Sequence, residues 1–571
     1  VRPDPEHDAV IACDEAHQVV VAPPGTGKTY LSVRLAGQLA DSLAPHERVL
    51  LLTFSRQARA QLEREAARQL SRAQRGKIEV SNYHRLCWQA VTQYRRALGL
   101  PEVLDVGSTK RRAAALRAVG DAAARVVSSH KTIVDSLAEH AFDNFRDHRT
   151  PEREVLDAML AAVYAEHSAG RLVFDDLGAL FWRLLEEQPT VATAYAARYP
   201  AVIADEHQDA SALQDAIVRR FGRKRLIVMA DHMQLIHGYR GADLERLRDH
   251  WRDSSARHQL NTPHRWHGRQ SEGRWLLALR GAFDGLEAKA PRPAGLTVKS
   301  YPAERGLNGA LPQLKYVIPP LMRDPEIRSV AVLVRENADL ARARKYLSTN
   351  GLHPRQLGGP KDFEEAREDI EQLPLLSDAH SIARHARDRL IALVPTIPNN
   401  IAQQLDRRLK PEGPEMAGAK EPAATLLRLF QPLWECGAQA FFRVMNELLA
   451  ACAAIGYHLP RSDAVRTLRR TAEALAQDSD LDDCLTTYSE HVAASMHAIP
   501  QRTDRGLFLM TAHQAKGKEF DAVVLFPVDA RRWPDDPDHR RLLYVALTRA
   551  TRTWILVRPS KDESPLLRLL P

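Results

Sequence analysis

Cysteine is scarce in this chain. Five are spread over 571 residues (Cys13, Cys87, Cys436, Cys452 and Cys484), an odd number with no Cys-x-x-Cys pair. That argues against both a disulfide framework and a zinc ribbon, and suits a reducing cytoplasm. Long apolar runs are missing too: none approaches the roughly 20 residues that cross a bilayer. The first residues, Val1-Arg-Pro-Asp-Pro5, carry no signal-peptide core. The expectation is a cytoplasmic protein with no membrane partner. There is no solenoid repeat and no low-complexity tail. The 23 histidines show no metal-ligand spacing. What is present is the composition of a globular protein, 44% hydrophobic and 27% charged. At this length about three or four domains are expected. The net charge of +8 is carried largely by arginine, which pairs with phosphate and stacks on bases. Charge alone does not separate a nucleic-acid partner from a merely basic protein.

Short apolar strands alternate with amphipathic helices, the pattern of parallel α/β layers. One set of strand candidates is Val19–Val21, Val49–Leu52, Ile78–Val80, Ala201–Ala204 and Leu226–Met229. A second is Leu296–Tyr301, Val330–Val334, Leu507–Met510, Ala522–Leu525 and Trp554–Val557. The two sets read as two sheets, each interrupted by a helical stretch, at about 86–177 and about 363–500. Within the second stretch, Lys410-Pro-Glu-Gly-Pro-Glu-Met-Ala-Gly418 reads as a loop. The Leu/Ala stripes of 113–127 and 423–449 read as helix cores, and the Arg/Asp-rich 367–389 as a solvated face or a partner surface. No further C-terminal domain is expected after the last of these strands.

Three stretches carry chemistry. The first strand runs into Ala22-Pro-Pro-Gly-Thr-Gly-Lys-Thr29, and a helix-spaced Leu31, Leu35 and Leu39 follow. Strand, glycine-containing loop, Lys-Thr and helix make a nucleoside-triphosphate site, for ATP or GTP. Loop N–H groups and the helix N-terminus face the phosphates. Lys28 reaches the β/γ-phosphates, and the Thr29 hydroxyl ligates Mg²⁺. In Ala201-Val-Ile-Ala-Asp-Glu-His-Gln-Asp209, a strand ends in two carboxylates. Asp205 suits the Mg²⁺ shell, and Glu206 suits polarising the attacking water. In Leu226–Ala242, Gln234 follows a strand end where an amide can sense the γ-phosphate. Tyr239 and Arg240 there suit stacking on a base or gripping a backbone.

With these in place the chain resembles the superfamily-1 helicases of the UvrD/Rep/PcrA group, in motif order along nearly its whole length. Leu52-Thr-Phe-Ser-Arg-Gln-Ala58 resembles the DNA-contacting motif Ia, and Asn82-Tyr-His-Arg-Leu86 the family's Thr-Phe-His-Ser-Leu. Leu172-Val-Phe-Asp-Asp-Leu177 resembles its Asp-Phe-Asp-Asp-Leu, and Leu260-Asn-Thr-Pro-His-Arg265 the end of motif IV. Leu357-Gly-Gly-Pro-Lys-Asp-Phe363 resembles the lead into the second insert. Met510-Thr-Ala-His-Gln-Ala-Lys-Gly-Lys-Glu-Phe520 resembles motif V, and Arg540-Arg-Leu-Leu-Tyr-Val-Ala-Leu-Thr-Arg-Ala550 motif VI.

The resemblance implies an α/β fold of two RecA-like parallel-sheet lobes, each with a mainly helical inserted subdomain. The first lobe would be 1–85 and 178–245, with its insert at 86–177. The second would be 246–362 and 501–571, with its insert at 363–500. ATP would lie between the lobes, held by Ala22, Pro23, Gly25, Thr26, Gly27, Lys28 and Thr29, with Mg²⁺ on Thr29 and Asp205. Its adenine would stack between Tyr30 and His264, and Glu519 would hold the ribose. Lys28, Glu206, Gln234 and the arginine fingers Arg265 and Arg549 would carry hydrolysis. Single-stranded DNA would meet Phe54, Arg56, His84, Tyr239, Arg240 and His513.

The family pattern is altered at several positions. His7 stands for the adenine-reading Gln, His207 for an aromatic, Ala230 for Gly, His232 for Pro, His237 for Tyr and Lys518 for Leu. The swaps lie near the DNA path and the coupling elements rather than at the phosphates, so hydrolysis is expected and processive unwinding does not follow. Two functions follow. One is an ATP-dependent 3′→5′ translocase or helicase acting on single-stranded or tailed duplex DNA. The other is a UvrD-like sensing subunit that licenses a separately encoded nuclease, as in Gabija-type antiphage systems. A GTPase switch fits poorly with two arginine fingers in cis.

Overall fold

The computed structural model describes residues 4–570 except 55, 103, 108–152, 174–175, 223, 237–241, 267, 286–289, 357–368, 370–372, 374–375, 377, 395, 459–462, 476–480, 482–483, 486, 489–490 and 492–505. The described chain forms two compact units. One comprises residues 1–353 and 505–571, the other residues 354–504.

The larger unit holds two parallel sheets. In the first, the strand order is Ile78–Asn82, Val49–Thr53, Ala201–Ala204, Arg225–Ala230, His17–Val21, Ala256–Gln259. Every pair in it is parallel. Val49–Thr53 is buried along its whole length, as a strand covered by helices on both faces must be. Leu50 and Leu52 point to one face, where Leu86, Phe181, Leu184, Ile217 and Phe221 pack. Leu51 points to the other, against Leu31, Leu35 and Leu39 of helix Lys28–Asp41. The second sheet runs Gly506–Thr511, Ser329–Val334, Phe520–Leu525, Ala550–Pro559, Leu296–Tyr301, again parallel. Val330, Val332, Leu507, Leu509 and Val524 pack on helix Gly306–Arg323 through Leu314 and Ile318. On the opposite face Trp275 meets Trp554 edge-on at 5.8 Å between ring centroids.

All ten strands expected from sequence are present, each within two residues of its expected start except the last, which begins at Ala550 rather than Trp554. In the first sheet one strand is additional. Ala256–Gln259 (Ala-Arg-His-Gln) lacks an apolar pattern because it is an edge strand with alternate residues exposed. Helix Gly306–Arg323 also defies local propensity, with Pro312, Pro319 and Pro320 inside it. Its buried Leu314, Val317, Ile318 and Leu321 form the stripe that holds it to the sheet.

The region expected as the first helical insert contains helix Arg153–Ser168 and a small parallel pair, Asp105–Gly107 with Arg171–Val173. The smaller unit is mainly helical, with Ala379–Leu393, Asn399–Arg408 and Phe441–Ile455 around Leu390, Leu405, Phe430, Leu448 and Tyr488. The expected loop at 410–418 includes a tight antiparallel pair, Leu409–Lys410 with Gly413–Pro414. The apolar stretch 423–455 is broken into the helices Ala423–Arg428, Pro432–Cys436 and Phe441–Ile455, and its side chains fill this core. The expected solvated face at 367–389 needs correction. Arg389 is 5% exposed and pairs with Asp369, which is 1% exposed, at 2.9 Å. Tyr488 also donates to Asp369 at 3.1 Å. Charge patterning reads as a surface unless the partner is visible, and Asp369 is twenty residues away.

Phe221 closes helix Ala212–Phe221 beneath the first sheet, stacked on Tyr195 at 5.4 Å and near Phe181 at 5.7 Å. Phe221→Ala is expected to cost about 3–5 kcal/mol, read as a fall in the urea midpoint of the intact chain. A shift no larger than that of an exposed substitution such as Tyr316→Ala would contradict this packing.

Candidate functional site

The loop after strand His17–Val21 turns sharply enough to need glycine. Gly25 has φ +82° and Gly27 φ +80°. Gly25 also lies under the segment that precedes helix Gln270–Phe283: a Cβ there would meet Trp266 at 2.6 Å and the Arg265 Cβ at 2.8 Å. Arg265 N donates to the Gly25 carbonyl at 3.0 Å. The loop is closed by the Thr26 hydroxyl donating to the Pro23 carbonyl at 2.8 Å. Gly27 caps helix Lys28–Asp41 without a side-chain bond, so the first N–H groups of that helix remain open to an anion.

Lys28 is the first residue of that helix. Its ammonium lies 3.3 Å from Asp205 and closer still to Glu206. Burial pulls Lys28 down, but Asp205 and Glu206 outweigh it and raise its pKa. Glu206 behaves as the mirror case: burial would raise it, while Lys28 and Lys516 lower it to about 2. Asp205 moves the other way, raised by burial and by the adjacent Glu206 against the pull of Lys28. Glu206 sits at φ +56°, a strained position for a residue with a side chain. Gln208 donates to its carboxylate at 2.6 Å and accepts from the Asp231 N–H at 3.1 Å. Asp231 in turn accepts from the Gln234 amide at 3.1 Å. Glu206 and Gln234, read from sequence as separate features, are therefore joined through Gln208 and Asp231.

The second sheet contributes from its own strand ends. Lys516 donates to Asp209 at 2.5 Å and to the Gln234 carbonyl at 2.7 Å. Sequence reading missed Lys516, Gln208 and Asp209 as site members, although all three lie inside quoted motifs. Arg265, from the segment between the sheets, pairs with Glu519 at 2.5 Å and donates to the Thr548 carbonyl at 2.9 Å. Arg549 is 2% exposed. It donates to the Val545 carbonyl at 3.0 Å and to the Thr548 hydroxyl at 2.8 Å. Among the described residues no carboxylate lies within ion-pair distance of it. Burial and the neighbouring Arg265 lower it to about 10.

The expected base-stacking rings have a third ring with them. His7 lies 6.1 Å from Tyr30, nearly parallel to it, and 5.2 Å from His264. His7 Nε2 is bonded to the Thr26 carbonyl at 2.8 Å, and His264 to Asp4. Of the expected DNA contacts, Phe54 is half-buried beside Tyr83 at 5.0 Å, and His84 is exposed. His513 is half-buried, and burial with nearby Arg335 lowers it to about 4, leaving a neutral ring. The Arg56 side chain and the whole of Tyr239 and Arg240 lie outside the described residues. For Mg²⁺, the Thr29 hydroxyl has no bond among the described residues, and Asp205 directly follows strand Ala201–Ala204 with its carboxylate 3.3 Å from the Lys28 ammonium. One hydroxyl and one carboxylate suit an ion completed by phosphate and water.

Two family models match the chain: the UvrD/REP helicase N-terminal domain over residues 4–254, and the UvrD-like helicase C-terminal domain over residues 506–557. Among curated proteins it is similar to the ATP-dependent DNA helicase PcrA of Staphylococcus aureus, at 22% identity over 95% of this chain and 81% of that protein. It is equally similar to PcrA of Leuconostoc citreum, at 22% identity over 95% of this chain and 80% of that one.

Lys518, where Leu is usual, sets a measurable cost. Burial and the Arg549 charge lower it from 10.5 to about 8, and it donates to the Gln514 carbonyl at 2.6 Å. The folded state therefore binds fewer protons than the unfolded one, and stability rises with pH between those two values. Lys518→Leu is expected to raise the thermal midpoint below about pH 8, with the gain shrinking as pH climbs towards 10.5. A gain that is the same at both ends of that range would mean the charge is not its source.

Proposed function

We propose that this chain, which belongs to the UvrD/REP helicase family, hydrolyses ATP between two RecA-like lobes and uses the cycle to move 3′→5′ along single-stranded DNA. The observation that supports it most is Arg549, a buried guanidinium with no carboxylate partner among the described residues and with Arg265 beside it. A buried cation held only by neutral acceptors is costly to keep, and a γ-phosphate is the anion that would repay it.

In this reading the open N–H groups of Gly27, Lys28 and Thr29 hold the β/γ-phosphates, and Lys28 leaves its carboxylates to pair with them. Thr29 and Asp205 would hold Mg²⁺, which supplies charge neutralisation to the phosphates. Glu206, oriented by Gln208, polarises the attacking water. Arg265 and Arg549 neutralise charge that develops in the transition state. Lys516 spans from the second sheet to Asp209 and the Gln234 carbonyl, so a change at the γ-phosphate reaches both sheets. Phe54, His84 and His513 offer flat faces for sequence-tolerant stacking on bases.

ATP hydrolysis is expected to rise when single-stranded DNA is added. Lys28→Ala and Arg549→Ala should each lower the DNA-stimulated kcat by on the order of 10³-fold. A 3′-tailed duplex should be opened in preference to a 5′-tailed one. Wild-type hydrolysis indifferent to DNA would end the motor reading.

A further inference from the structure

Behind the Asp205-Glu206 strand end runs a buried line of polar side chains that hydrolysis, as described above, does not use. His207 Nδ1 lies 3.1 Å from the Tyr83 hydroxyl, and His207 Nε2 lies 2.9 Å from Asp215 Oδ1. The same Asp215 oxygen lies 2.5 Å from His250 Nε2, and His250 Nδ1 lies 3.0 Å from His17 Nε2. Arg219 donates to the other Asp215 oxygen at 3.0 Å. His250 is 0% exposed, Tyr83 2%, His207 5% and Asp215 7%.

The line closes with one assignment of neutral rings. If Asp215 Oδ1 accepts from both Nε2–H groups, each Nδ1 becomes an acceptor. The Tyr83 hydroxyl and the His17 Nε2–H are the donors that face them. Every buried polar atom on the line then has a partner, as a low-dielectric interior demands. Burial lowers His250 to about 4, in keeping with a neutral ring. A bound metal describes the cluster less well. Two ligands about 2.0–2.1 Å from one zinc stand roughly 3.3 Å apart, whereas these contacts are 2.5 and 2.9 Å, which are hydrogen-bond separations.

The two ends of the line matter. His207 directly follows Glu206 and opens the 3₁₀ turn His207–Asp209 that holds Glu206 at φ +56°. Tyr83 opens helix Tyr83–Gln93, is followed by the exposed His84, and packs its ring on Phe54 at 5.0 Å. Strands Ile78–Asn82, Val49–Thr53 and Ala201–Ala204 are neighbours in that order, so Tyr83, Phe54 and Asp205 leave the same sheet edge side by side.

We propose that His207 is a positioning residue, anchored from behind by Asp215 and His250, through which DNA contact at Phe54 and the Tyr83 helix adjusts the Glu206 turn. The Tyr83 hydroxyl is the link that carries the adjustment. This rests on the motor reading above and adds to it a named route from DNA to the water-activating carboxylate.

The test compares wild type, Tyr83→Phe, His207→Gln and the double variant, measuring kcat and KM for ATP with and without a saturating oligothymidylate. Tyr83→Phe removes only the hydroxyl. His207→Gln keeps an N–H donor for Asp215 and moves the acceptor, now an amide oxygen, off the Nδ1 position that faces Tyr83. Each is expected to lower DNA stimulation of kcat about fivefold, the size of one buried hydrogen bond, with KM for ATP within about twofold. The double variant should be no worse than either alone, because both break one link. Effects that multiply in the double variant, or stimulation retained in Tyr83→Phe, would overturn the proposal. So would a loss of equal factor with and without DNA, which would make the line merely structural. Wild type that DNA does not stimulate would instead fail the motor reading, and the two failures are therefore separable.

Discussion

The Lys28 ammonium held between Asp205 and Glu206 is the contact on which the rest of the site depends. It ties the phosphate-loop helix to a strand two places away in the sheet, and it does so with charges taken out of water. Such an arrangement is poor value as stability alone, because desolvation offsets most of the attraction. Two carboxylates share one ammonium, and their pKa values separate: Asp205 moves up while Glu206 falls to about 2. The pocket thus keeps one firmly ionised carboxylate, aimed by Gln208, beside a cation that can leave for a phosphate. The left-handed turn at Glu206, the Gln208 bridge to Asp231 and the Lys516 span to Asp209 all exist around that pairing.

What the sequence made legible follows from where the information is local. Val49–Thr53 and Ser329–Val334 are buried on both faces and so are written as unbroken apolar runs. The phosphate loop is legible because its backbone demands Gly25 and Gly27. Ala256–Gln259 is written in polar residues because one side of an edge strand meets water, and only its register with Gln18–Val21 makes it a strand. The three prolines of Gly306–Arg323 argue against a helix until its buried stripe is seen on the second sheet. At the site, residue types that chemistry requires could be named one by one. Their pairings could not, since Lys516 with Asp209 and Arg265 with Glu519 join residues more than 200 positions apart.

Two of the positions altered from the family pattern, His7 and His207, lie with His264 behind or beside the nucleotide pocket, and each of the three is tied by a ring nitrogen to a neighbour: His7 to the Thr26 carbonyl, His264 to Asp4, His207 to Asp215 and Tyr83. A phenylalanine ring at position 207 could fill the same space but could bond neither Asp215 nor Tyr83. The substitution therefore changes what the loop is connected to rather than how well it packs. Lys518 differs in kind, because its amine is buried beside Arg549 and carries a cost that a leucine would not.

The two arginines expected to meet the γ-phosphate start from unequal positions. Arg265 is already neutralised by Glu519 at 2.5 Å, whereas Arg549 is held by a carbonyl, a hydroxyl and a more distant carbonyl of Lys518. Turning towards a phosphate costs Arg265 an ion pair and costs Arg549 only neutral hydrogen bonds. The weaker tether belongs to the more deeply buried charge, so Arg549 has the larger net gain from an arriving anion. Glu519, once Arg265 turns away, is left as a carboxylate with free acceptor atoms, the group a ribose hydroxyl requires. In the motor reading, nucleotide entry therefore exchanges one internal pair for two external ones, and the roles assigned to Arg265 and Glu519 become a single event.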